Sequence, residues 1–132
     1  MTLSAPMRTM LKVLPAVLIG ALLCACASTI TNISVSRQKR NSTGMYPVEA
    51  AWDTRQATVI PGTLQAFVKV GFDTYPMRPV LGMTNRWEGV IPVPPDKPFV
   101  TYFIRFDYEV KTFKGTRKES KLSSGYRLEI ID

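Results

Sequence analysis

Cys24 and Cys26 are the only thiols among 132 residues, and the chain contains no histidine. A nucleophilic cysteine or serine needs a base to take its proton, and the commonest such base is therefore missing. Two thiols one residue apart would close a strained disulfide, and a structural zinc site needs about four ligands. Neither redox nor metal chemistry suits the pair. Paired carboxylates are the other route to acid–base catalysis. Asp107 and Glu109 stand two residues apart, roughly 7 Å along a strand, but Arg105 and Lys111 flank them in the alternation of a solvated surface. No run such as Asp-x-Asp-x-Asp gathers the six or so oxygens that calcium requires, and no Gly-x-Ser-x-Gly occurs. The inventory points away from an enzyme, a bound metal and a cofactor.

What precedes the cysteines gives them a different use. Arg8 and Lys12 open the chain, an apolar run extends from Val13 to Leu23, and small residues follow at Ala25, Ala27 and Ser28. These are the three parts of a secretory signal, and the run is too short for a permanent span, which needs roughly 20 apolar residues. The junction Leu23-Cys24-Ala25-Cys26 resembles the lipobox of bacterial lipoproteins, with Leu23 three before Cys26 and Ala25 just before it. That resemblance implies that Cys26 is lipidated and becomes the first residue of the mature protein, residues 1–25 being removed as a signal peptide. Cys24 departs from the pattern, since the middle position usually holds a small or β-branched residue. Resemblance to Gram-negative lipoproteins further implies export to the outer membrane, because Ala27 rather than an aspartate follows the cysteine.

Residues 26–132 are then one domain's worth of chain. The formal charge of the whole is +7, and only Arg8 and Lys12 of the charged residues precede Cys26. The basic excess favours anionic neighbours such as lipid headgroups or glycans, and export makes nucleic acid an unsuitable partner. Ile33 and Val35 alternate with Ser34 and Ser36 as in a first strand, and Ser42-Thr43-Gly44 reads as a turn. Further rows at period two run through Tyr46, Val48, Ala50 and Trp52; Leu64, Ala66, Val68 and Val70; Trp87, Ile91 and Val93; Val100 to Val110; and Tyr126, Leu128 and Ile130. Each row puts its apolar members on one sheet face. Turn chemistry at Pro61-Gly62, Phe72-Asp73-Thr74, Pro94-Pro95-Asp96 and Lys114-Gly115-Thr116 separates them. Such spacing predicts an all-β domain: an immunoglobulin-like or fibronectin type III-like antiparallel sandwich of about seven strands, with a small closed barrel as the alternative. No connection is long enough for a crossover helix, so every pairing is expected to be antiparallel.

Parity then sorts the aromatics. Trp52 and Trp87 share faces with apolar neighbours and are expected in the core, whereas Phe67 and Phe103 fall outward, beside Lys69, Thr101 and Arg105. The sequence Arg86-Trp87-Glu88-Gly89-Val90-Ile91-Pro92-Val93-Pro94-Pro95, followed by Tyr102-Phe103-Ile104-Arg105-Phe106, looks like starch- and glycogen-binding modules of immunoglobulin-like fold. That similarity implies a carbohydrate stacked on exposed Trp52 and Trp87. The stretch from Lys111 to Lys121 carries Lys114, Arg117 and Lys118 and is expected to be an exposed basic loop joining the last two strands. Taken together, the residues predict a non-enzymatic envelope lipoprotein, anchored in lipid through Cys26. Phe67, Phe103, Lys114, Arg117 and Lys118 are the candidates for meeting an envelope protein, and a membrane-tethered carbohydrate-binding module is the alternative.

Overall fold

The computed structural model describes residues 28–132, and all of its regular structure is β. The expected signal peptide over residues 1–25 and the expected lipidation site Cys26 lie outside the described residues. Ten strands form two sheets. The first holds β1 (Ser28–Asn32), β3 (Met45–Thr54), β7 (Arg86–Pro92) and the two-residue β6 (Arg78–Pro79), in the order β1-β3-β7-β6. The second holds β2 (Arg37–Lys39), β10 (Tyr126–Ile131), β8 (Phe99–Thr112), β4 (Gln65–Val70) and β5 (Asp73–Pro76) in that order, with β9 (Gly115–Leu122) beside β8.

The alternating rows become the layer between the sheets. Tyr46, Val48, Ala50 and Trp52 of β3 face Ala66 and Val68 of β4, with Tyr102, Ile104, Phe106, Tyr108 and Val110 of β8, all buried. Trp52 stacks on Phe106 with ring centroids 4.8 Å apart and leans on Tyr108 at 5.3 Å. Trp87, partly buried, meets Phe106 edge-on at 6.0 Å. This is a β-sandwich, and its arrangement is compatible with an immunoglobulin-like fold.

Four expectations need correcting. More than seven strands form, because the short edge pieces β2, β5 and β6 have too few residues to show a period and β9 has no apolar period to show. The first strand is not at 33–36, where Val35 is two-thirds exposed. There the Ser34 hydroxyl accepts from the Glu49 amide and donates to the Glu49 carbonyl, and the Ser34 amide donates to Asn32 Oδ1, so side chains replace the ladder while the chain changes sheets. Not every pairing is antiparallel: β2 runs parallel to β10, with Ile130 opposite Gln38. Closure of the sandwich brings these first and last segments of the six-stranded sheet together, so no local crossover is needed. Finally, residues 111–121 are not a loop. β8 and β9 form a hairpin in register from Arg105↔Leu122 to Thr112↔Gly115, turning through Phe113 and Lys114, with Gly115 at φ 136°. Positive φ is readily adopted only by glycine.

Candidate functional site: the outer face of the six-stranded sheet

β4 and β8 lie antiparallel with Phe67 opposite Arg105 and Lys69 opposite Phe103. Phe67 and Phe103 are therefore diagonal neighbours on the solvent side, roughly 7–8 Å apart. Between them the Arg105 guanidinium lies 4.8 Å from the centre of the Phe67 ring. Its Nε is 3.1 Å from Asp107 Oδ1 yet makes no aligned hydrogen bond, so charge and ring stacking hold it. Asp107 also accepts from the Ser120 hydroxyl at 2.6 Å. On the other side of Arg105 stands exposed Leu122 of β9. Farther down the same face, Arg127 covers the Phe99 ring at 3.8 Å.

Phe103 has a second task. Leu122 pairs with Arg105 and Tyr126 with Tyr102, so Ser123, Ser124 and Gly125 stand opposite only Phe103 and Ile104. The extra residue makes a bulge, held by the Ser123 amide donating to the Ile104 carbonyl at 2.8 Å and the Ile104 amide donating to Ser123 Oγ at 2.9 Å. The Phe103 ring lies over Gly125, where a β-carbon would come within 3.3 Å of it. A bulge shifts side-chain parity by one residue. Even-numbered residues of β9 and odd-numbered residues of β10 thus share the outer face, which is how Leu122 joins Phe67 and Phe103.

The basic candidates do not gather here. Lys114 is at the hairpin turn, about ten residues and roughly 33 Å along β8 from Phe103. Lys118 faces outward opposite Glu109. Arg117 falls on the inward side opposite Val110 and pairs with Glu119. Of the aromatics considered for sugar stacking, Trp52 is only 3% exposed, sealed by Phe106 and Tyr108.

Sequence reasoning missed Arg105 and Leu122 as parts of this patch. Arg105 was legible only as one of several alternating charges, and Leu122 depends on a bulge whose sole sequence signal is the turn-like Ser123-Ser124-Gly125. The one Ser-x-x-Lys spacing, at Ser36 and Lys39, leaves both side chains exposed on extended chain, where residues three apart point to opposite faces. Among the described residues, no three His, Cys, Asp or Glu side chains are placed to hold a metal ion. No protein-family model matches this chain, and a search of curated proteins finds no match.

Proposed function

We propose that this protein is an envelope lipoprotein, lipidated at Cys26 and held at the outer membrane of a Gram-negative bacterium. In this reading its immunoglobulin-like domain is a non-enzymatic structural or protein-interaction module. The observation that carries the reading is the patch formed by Phe67, Phe103 and Leu122 around Arg105. Aromatic side chains and arginine are enriched where protein interfaces exclude water. An arginine already stacked on a ring loses little freedom when a partner covers it, which favours this patch over a mobile lysine surface. The lipobox resemblance supports the anchor, and the lack of histidine supports a role in binding rather than catalysis.

The test is capture of envelope proteins by the full chain from detergent-solubilised membranes, with thermal unfolding measured alongside. Phe67→Ala and Arg105→Ala are expected to weaken retention of a captured protein by roughly tenfold or more, as loss of an interface anchor does. Each should shift stability by only about 1 kcal/mol, as surface changes do. Capture unchanged in both variants would remove the patch from the reading. Binding to insoluble polysaccharide that is lost in Trp87→Ala, with unfolding unaltered, would instead favour the carbohydrate module.

A further inference from the structure

Three independent features coincide at one end of the sandwich. The first is where the described chain begins. Ser28 pairs with Thr54 at the end of β3, and its hydroxyl lies beside the Tyr108 phenol. Cys26 is two residues earlier, so its backbone lies within roughly 7 Å of Ser28. The second is the reach of the hairpin. From Tyr108, β8 continues in the same direction to the turn at Phe113, five residues or roughly 16 Å further. The tip therefore projects past any position that Cys26 can occupy. The third is the chemistry of that end. Phe113 at the tip and Leu81, on the turn between β6 and β7, are completely exposed. The β6–β7 turn belongs to the same end, since the Trp52 amide donates to the Asn85 carbonyl. From Lys111 to Lys118 the hairpin carries Lys111, Lys114, Arg117 and Lys118 and no acid. The opposite end sets Asp73, Asp96 and Asp132 among Lys39, Arg40 and Lys97, so its charges balance.

We propose that the β8–β9 hairpin is a membrane-docking element: Phe113 enters the headgroup layer of an anionic bilayer, while Lys111, Lys114 and Lys118 meet lipid phosphates. The occupant is a lipid surface rather than a protein, because an anchor at Cys26 places a bilayer at this end whatever else binds. The inference rests on the lipidation reading, and it adds an orientation. Headgroup layers are roughly 5–7 Å deep on each side, so a tip that outreaches the anchor is immersed when the long axis stands upright. Aromatic rings favour that depth, and adjacent lysines gain from anionic lipid. Leu81 lies nearer the level of Ser28 and becomes the second contact.

Phe72, at the β4–β5 turn of the opposite end, is as exposed as Phe113, which supplies a matched control. The full chain carrying Phe113→Cys or Phe72→Cys is expressed in a Gram-negative host, and isolated membranes are treated with a water-soluble maleimide. The expected result is labelling of Phe113→Cys roughly tenfold slower than of Phe72→Cys in membranes, as burial of an apolar site requires, and equal rates after detergent extraction. Equal rates in membranes that retain the protein would overturn the docking inference and leave lipidation standing. Recovery of the chain in the soluble fraction would sink the lipidation reading instead. That soluble chain is then sedimented with phosphatidylglycerol vesicles. Co-sedimentation lost in Phe113→Ser would still support the hairpin's role, and no co-sedimentation would end it.

Discussion

Tyr108 is buried with its phenol near the Glu119 carboxylate and the Ser28 hydroxyl. Burial first, then the negative charge of Glu119, pushes its pKa above the ordinary tyrosine value, against a smaller opposite effect of Ser28. The folded protein therefore holds this proton after the unfolded chain has released it. By linkage, the stability contributed by the neutral phenol is complete below about pH 10 and is lost as pH rises from there through the folded value. Tyr108→Phe cannot ionise. Urea midpoints measured at about pH 8 and about pH 11 are expected to converge more closely in Tyr108→Phe than in the parent, even though the variant loses a hydrogen bond at both. A parent whose midpoint drop is fully retained in the variant would assign the alkaline loss to lysines and other tyrosines.

At the level of strands, the chain between β5 and β6 crosses from one sheet to the other and plugs the sandwich edge with Met77, whose amide donates to the Ala66 carbonyl at 2.9 Å. It passes so close to β7 that a β-carbon on Gly89 would lie 3.1 Å from Met77 Cγ and 3.2 Å from the Pro76 carbonyl oxygen. Side chains can yield, but that carbonyl is backbone. Gly89→Ala is expected to cost about 1–3 kcal/mol, the usual effect of overpacking, read as a lowered urea midpoint with an unchanged slope. An unchanged midpoint would mean that the crossing segment moves freely. In the sequence, Gly89 was visible only as a gap in the Trp87–Ile91–Val93 row. The rows that line the core were legible because they are apolar on one parity and polar on the other; Ile104, Val68 and Ala50 are wholly buried. β9 was not legible for the converse reason. Its inward positions are Arg117, Glu119 and Lys121, which an uncovered edge tolerates and which hinder edge-to-edge association. With no apolar face to bury, the strand carries no period. Phe67 and Phe103 could be read as outward from parity alone, whereas their neighbour Leu122 required the bulge.

For the molecule as a whole, the proposed lipidation at Cys26 would set an order of attachment: anchor, β1, sheet change, β2, then the rest of the domain. Cys26→Ser is expected to abolish incorporation of labelled fatty acid, and Cys24→Ser to leave it intact. Equal loss in both would move the acceptor away from Cys26. An anchor at that end also makes β1 the strand through which any pull between membrane and bound partner must pass. A pull directed along the strand axis is the case in which the pairing of β1 resists most. β1 is matched to β3 over five register pairs, from Ser28↔Thr54 to Asn32↔Ala50, and ladder hydrogen bonds lie across that axis. They are loaded in shear, all together, rather than peeled apart singly. Beyond them the chain passes into the other sheet and pairs again, parallel to β10 through Arg37, Gln38 and Lys39. Under the proposed anchoring, tension entering at Ser28 would meet one pairing in each layer of the sandwich, with the sheet change near Ser34 between them.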